Sequence, residues 1–378
     1  MIRVLLADDS PTARELLKHV LEDEGTFEVV AEAGNGKQAI ELTARLRPDV
    51  IVMDLVMPII DGMEATSTIM AETPTPIVIT TATQSLHEAS TAMMALEAGA
   101  LSLIEKPNLT KNGQALINII QAFTRTIRLM SAVKVVRHAR KAVTVPKADF
   151  QPHTMSITAS RKIQDLQAKP ATCITDEKRR SIMAAHYRRN RQKPAVIAIA
   201  TSTGGPPAVA QILQNLDADY PLPICIVQHI GSGFIHGMAN WLNRSTPLQV
   251  LVAQHGDKLL PGHVYLAPDD SHFGVTNGQV ILSQTPAIGG FRPSANFLFD
   301  SIASSYGPSA AALVLTGMGE DGVKALTVLN QSGALVVAQD EASSTIFGMP
   351  CAAIASGNVD LILSINEIVT FMQEIIAL

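Results

Sequence analysis

The stretch AVIAIATSTGGP, residues 195–206, is an apolar run that stops at a serine and a pair of glycines. Ala195–Thr201 has the character of a strand: short, β-branched at alternate positions, and closed by turn residues. Ser202-Thr203-Gly204-Gly205-Pro206 then turns the chain into a helical pattern. A serine placed there projects from a tight turn, the glycines let a substrate approach the backbone, and free helix N–H groups face an anion. Further strands read at Ile224–Gln228, Val250–Ala253, His263–Ala267, Ala311–Leu315 and Leu335–Ala338, with helical patterns between most of them. Apolar strands alternating with helices predict a mainly parallel sheet covered on both faces.

The strand ends of this block carry chemistry. Ile224–Gln228 is followed by His229, and Ala311–Leu315 leads into Thr316-Gly317-Met318-Gly319-Glu320-Asp321-Gly322. Ser202, His229 and Asp321 thus stand at three strand ends, a way for a parallel sheet to assemble nucleophile, base and orienting acid. The turn is not the G-x-S-x-G elbow of common esterases. Spacing alone leaves each role open. Ser202 also suits a helix N-cap, His229 is one of ten histidines, and Asp269 and Asp270 compete with Asp321 for the acid role.

Upstream, the first part of the chain repeats the strand-end design with different residues. Strands read at Ile2–Ala7, Phe27–Ala31, Asp49–Met53, Pro76–Thr80 and Ala100–Ile104, giving five βα units. The last helix, through Leu116, Ile120, Phe123, Ile127 and Met130, reaches about Met130. Asp8 and Asp9 follow the first strand, Asp54 the third, Thr81 the fourth and Lys106 the fifth. Three carboxylates meeting outside the carboxyl ends of a parallel sheet repel one another unless a cation lies between them, and Mg²⁺ suits an all-oxygen site. A hydroxyl and an ammonium on the same rim suit phosphoryl oxygens, leaving one aspartate as nucleophile.

Between the blocks lies a basic connector. Arg125 to Lys193 holds 17 Lys/Arg against 4 Asp/Glu, which leaves 29 − 17 = 12 basic and 34 − 4 = 30 acidic residues elsewhere. The coarse map is two acidic folded blocks joined by a solvated tether, with a helix from Asp176 to Arg189 capped by Thr175. The tether's positive charge is expected to draw it along one or both blocks or along an acidic receptor or membrane surface. The expected division is 1–125, 126–193 and 194–378, and 378 residues suit two domains. Met1 to Asp9 does not resemble a secretory signal, and no apolar run approaches the roughly 18 residues of a membrane span. Cys173, Cys225 and Cys351 are odd in number and far apart, so neither disulfides nor a zinc site are indicated. A soluble cytoplasmic protein with no membrane insertion is the expectation.

Motifs in both blocks match known families. Asp8-Asp9, the run MDLVMP at 53–58, Asp61-Gly62, Thr81-Ala82 and Lys106-Pro107 resemble the response-regulator receiver family over about residues 1 to 125. The resemblance implies a flavodoxin-like (βα)5 fold, phosphorylation at Asp54, Mg²⁺ held by Asp8, Asp9 and Asp54, phosphoryl sensing by Thr81 and Lys106, and a cis bond before Pro107. Leu103 stands three residues before Lys106, where that family usually has an aromatic switch residue.

From 195 to about 370, the run STGGP at 202, Gln228-His229, VYLAP at 264, Arg292-Pro293-Ser294, LTGMG at 315, Asp321-Gly322, AQD at 338 and FGMP at 347 resemble the catalytic domain of chemotaxis protein-glutamate methylesterases. That resemblance implies a doubly wound, mainly parallel α/β hydrolase domain. Ser202 is then the nucleophile, His229 the base and Asp321 the orienting carboxylate. The Met318 N–H is the oxyanion donor, Thr203 lies beside the site, and Arg292 borders the substrate cleft. It implies hydrolysis of γ-glutamyl methyl esters on methyl-accepting chemotaxis receptors, with glutamine deamidation beside it and no cofactor in the hydrolase site. A chemotaxis histidine kinase is the implied phosphodonor. The alternative is a serine esterase of the same fold acting on another substrate under receiver control. The connector lacks a recognisable DNA-binding motif and aromatic interleaving, so nucleic acid is not an expected partner.

Overall fold

The computed structural model describes residues 1–81, 86–107, 113–133, 135, 175–190 and 192–377. The first domain runs β1 (Ile2–Ala7), α1 (Pro11–Glu22), β2 (Phe27–Ala33), α2 (Gly36–Leu46), β3 (Val50–Asp54), α3 (Gly62–Glu72), β4 (Ile77–Thr81), α4 (Leu86–Glu97), β5 (Ser102–Glu105) and α5 (Gln114–Ser131). Its sheet order is β2-β1-β3-β4-β5, all parallel, the flavodoxin-like arrangement expected. The helices start where the sequence offers caps: Ser10, Asn35 and Asp61 each accept a hydrogen bond from a first-turn N–H. β3 is buried throughout, which is why it reads as an unbroken apolar run ending in Asp54.

After α6 (Asp176–Asn190), the second domain runs β6 (Val196–Thr201), α7 (Gly205–Leu213), β7 (Ile224–Gln228), α8 (Ile235–Ser245), β8 (Gln249–Val252), β9 (His263–Leu266), β10 (His272–Thr276), β11 (Gln279–Ser283) and α9 (Ala295–Tyr306). It ends with β12 (Ala310–Val314), α10 (Val323–Ser332), β13 (Leu335–Gln339), α11 (Met349–Ala355), β14 (Leu361–Leu363) and α12 (Ile365–Glu374). Seven parallel strands lie in the order β14-β13-β12-β6-β7-β9-β8. The chain winds to both sides of β6, so β6 and its neighbour β12 flank the topological switch point. The β10–β11 antiparallel hairpin is an addition that the sequence reading did not anticipate.

Two features depart from expectation. The connector's charge predicts that it is drawn along a domain surface, and its described end does lie on the second domain, but more deeply than a surface contact. On α6, Arg179 is fully buried, with Nη2 3.1 Å from Glu374 Oε2 and Nη1 2.9 Å from Asp176 Oδ1, and Met183 joins the apolar core. The Glu374 carboxylate on α12 explains the burial, because a paired guanidinium tolerates desolvation that a lone one does not. Most of the remaining connector lies outside the described residues. The second departure is backbone geometry: the one cis peptide bond among the described residues is Arg292–Pro293, so the bond before Pro107 takes the ordinary trans form.

The two domains share a buried seam. α4 packs against α8, and Met93, Leu96, Met238 and Trp241 belong to one continuous apolar cluster. At its edge the indole N–H of Trp241, the sole tryptophan, donates to Glu97 Oε2 at 3.3 Å. No described helix is long and apolar enough to cross a membrane.

Candidate active site

The turn after β6 is built by glycine and by a clamp. Gly204 has φ +77°, and a Cβ on it would fall 2.4 Å from Thr345. Across the switch point a Cβ on Gly317 would lie 2.7 Å from the Cβ of Ser202, so only glycine lets the loop after β12 close on the serine. The Ser202 N–H donates to the Thr316 carbonyl at 3.1 Å, and the buried Gln228 amide donates to the carbonyls of Ser202 at 2.7 Å and His229 at 2.9 Å. Gln228 thereby ties the ends of two adjacent strands together, and with them the two side chains that follow.

His229 and Asp321 meet behind this turn. His229 Nε2 lies 2.9 Å from Asp321 Oδ2, although its N–H does not point along that line. Nδ1 is buried and has no hydrogen-bond partner. Asp321 is itself saturated with donors: the Ser294 hydroxyl at 2.7 Å and the Asn296 side-chain amide at 2.7 Å reach Oδ1, and the Ala295 N–H at 2.6 Å reaches Oδ2. Burial works to raise its carboxyl, but the His229 contact, the Ser294 hydroxyl and the Ala295 N–H outweigh it and hold the group below the ordinary carboxylate value. A carboxylate held in contact with one edge of an imidazole can orient the ring. Asp269, the rival, instead accepts the Gly233 N–H at 2.7 Å, and burial raises its carboxyl.

Ser202, Thr203, His229, Arg292 and Met318 all line one cavity of about 380 Å³. Its opposite wall comes from the first domain: Leu96 of α4, Leu101 to Ile104 at β5, and Thr126 of α5. Leu103 is therefore a wall residue, set against the second domain. The sequence reading missed Phe291, whose ring stacks on His229 at 4.3 Å and 11°, and Asn296, buried against Asp321.

At the carboxyl ends of the first sheet, Asp8, Asp9 and Asp54 offer oxygens all within 4.8 Å of one another. Lys106 Nζ lies 2.7 Å from Asp8 Oδ2 and 2.9 Å from Asp54 Oδ2. Thr81 closes β4 and is buried on the same rim. Burial raises the Asp54 carboxyl by more than the Lys106 ammonium lowers it, and the neighbouring Asp8 adds to the rise. Such a hard, anionic oxygen set fits Mg²⁺.

Residues 4–121 match the response regulator receiver domain, and residues 197–372 match the CheB methylesterase domain. The chain is 41% identical to protein-glutamate methylesterase/protein-glutamine glutaminase 4 of Myxococcus xanthus over 350 residues, 92% of this chain and 90% of that one. Over 374 residues it is 40% identical to protein-glutamate methylesterase/protein-glutamine glutaminase 2 of Anaeromyxobacter dehalogenans, covering 99% and 97% of the two chains. Among solved structures, the CheB methylesterase catalytic domain of Thermotoga maritima is 35% identical, with a TM-score of 0.47, covering 48% of this chain and 99% of that one. The class is thus a receiver-bearing hydrolase. The chain belongs to the protein-glutamate methylesterase/protein-glutamine glutaminase family.

Proposed function

We propose that this enzyme hydrolyses γ-glutamyl methyl esters on methyl-accepting chemotaxis receptors, releasing methanol, and deamidates receptor glutamines at the same site. The observation that carries the reading is the convergence of Ser202, His229 and Asp321 at one switch point, beneath a wall supplied by the receiver. Ser202 Oγ attacks the ester carbonyl while His229 takes its proton. With Nε2 turned to Asp321, Nδ1 is the nitrogen left to serve as base. The Met318 N–H donates a hydrogen bond to the developing oxyanion, and Thr203 and Arg292 border the substrate. His229 returns the proton to the leaving methoxide, and water then clears the acyl-serine by the reverse proton transfer, leaving glutamate. An amide leaving group follows the same path and departs as ammonia.

Residues 1–125 act as the regulator of residues 194–378, with the basic connector 126–193 between them. A chemotaxis histidine kinase supplies the phosphoryl group to Asp54. Asp8, Asp9 and Asp54 would hold Mg²⁺, which neutralises charge on the incoming phosphoryl group, and Thr81 and Lys106 contact the bound group. A phosphoryl group on Asp54 competes for Lys106, alters the packing of β4 and β5, and loosens the receiver wall over the cavity. The change is a shift in population between closed and open seams. The site is cytoplasmic, where receptor glutamates are presented.

The test is methanol release from membranes carrying methylated receptors, with and without a small-molecule phosphodonor and Mg²⁺. Release that rises with the phosphodonor, and stays low in Asp54→Ala, is the expected result. Release from a small-molecule ester but none from receptors would assign the site to another substrate.

A further inference from the structure

The pair His229–Asp321 has an unequal frame. Asp321 is fixed by three donors, whereas the His229 ring receives no aligned hydrogen bond on either nitrogen. The one polar contact on the ring is Asp321 Oδ2, 2.9 Å from Nε2, and a single contact at one edge leaves the tilt of the imidazole plane open. A flat apolar ring does lie on it: Phe291 stacks on His229 at 4.3 Å with the planes 11° apart.

Phe291 is itself held by a built turn. Ile288 and Phe291 exchange backbone hydrogen bonds of 3.0 Å in both directions around Gly289 and Gly290. Those glycines have φ +61° and +88°, the pair of positive values that a two-residue type I′ turn demands. One side of this segment is anchored by the fully buried His272, whose Nε2 lies 3.1 Å from the Pro286 carbonyl. Its other side runs through Arg292 and Pro293 into Ser294 and Asn296, the residues that fix Asp321. Residues 286–296 thus touch both members of the pair, one through a ring face and the other through hydrogen bonds.

We infer that Phe291 is a positioning residue for hydrolysis: its ring holds the His229 imidazole in the plane that sets Nε2 against Asp321 and leaves Nδ1 free of any other partner. This rests on the reading of His229 as the general base. A ring that rotates freely spends less time aligned in the transition state, so the loss falls on kcat. A stacked aromatic pair is worth enough to change a rate by roughly three- to tenfold. Phe291 also lines the cavity, so the rival role is a substrate wall, which would act on KM.

The test uses the full chain activated with phosphodonor and Mg²⁺, following methanol release from methylated receptors. Phe291→Leu keeps apolar bulk but removes the stack; kcat is expected to fall roughly three- to tenfold with KM little changed. Phe291→Tyr restores the stack and is expected to restore kcat. His229→Asn runs beside them. If His229→Asn is inactive while Phe291→Leu keeps a normal kcat, or raises only KM, the positioning role is wrong and the base assignment stands. If His229→Asn retains activity, the base assignment itself has failed. Should Phe291→Leu unfold, Phe291→Met takes its place with the same two outcomes, and a folded Phe291→Tyr variant whose kcat falls roughly three- to tenfold also overturns the role.

Discussion

Asp54 and Asp321 are two aspartates in near-equal burial, 6% and 5% exposed, at the carboxyl ends of two parallel sheets, yet their carboxyls shift in opposite directions. Burial pushes both upward. Asp321 receives a hydroxyl, a backbone N–H, a side-chain amide and an imidazole, and is held anionic. Asp54 faces one ammonium, which it shares with Asp8, and the Leu55 N–H, and lies beside that second carboxylate. The number of donors, rather than depth, separates a settled anion from a frustrated one. The settled anion fits a fixed part of a hydrolase. The frustrated one fits a group that binds a cation and accepts a phosphoryl group.

That contrast is easiest to break at Asp321. Asp321→Asn is expected to lower methanol release about 10⁴-fold, because the imidazole loses its anionic partner. The same substitution leaves a donor unsatisfied in a buried site and is expected to destabilise the fold by about 1–3 kcal/mol, read from denaturant unfolding. A smaller effect is expected from Mg²⁺. At about ten times its dissociation constant it should stabilise the wild type by about 1.4 kcal/mol, with most of that gain absent in Asp54→Asn. The smallest change has the opposite sign: without Mg²⁺, Asp54→Asn should raise the melting temperature, since it removes a carboxylate whose ionised form is disfavoured.

Acid sharpens the comparison. Asp321 has a lowered folded value, so its contribution to stability is fully present above the ordinary carboxylate value and fades as pH falls through the lowered one. Asp54 has a raised folded value, so its contribution is fully present below the ordinary value and is lost as pH rises through the raised one. Melting curves across pH should therefore show the Asp54→Asn advantage vanishing first as the solution is acidified. The Asp321→Asn deficit should shrink only at lower pH. A common pH for both would show that donor count does not distinguish the two groups.

Much of this arrangement was legible in the chain. The strands that lead into Ser202, His229 and Asp54 are buried throughout, and their apolar runs end abruptly at or next to the functional residue, whereas the edge strand before Lys106 is only partly buried. The β10–β11 hairpin was missed although Asn277-Gly278, with φ +49° and +74°, is a turn signal between two apolar runs. Gly289-Gly290 is a second such signal, and it would have marked Phe291 as held by a tight turn. Other contacts had no local trace. Arg179 and Glu374 are 195 positions apart, and Trp241 and Glu97 are 144 apart. Their pairing follows from how the elements stack, which spacing within one element does not encode.

The central claim is that Ser202 is the nucleophile of a methylesterase. Its most direct test is methanol release from methylated receptors by Ser202→Ala in the full chain, activated with phosphodonor and Mg²⁺, in protein whose unfolding curve matches the wild type. The expected result is a loss of about 10⁴-fold or more. Near-normal methanol release from that folded variant would contradict the account.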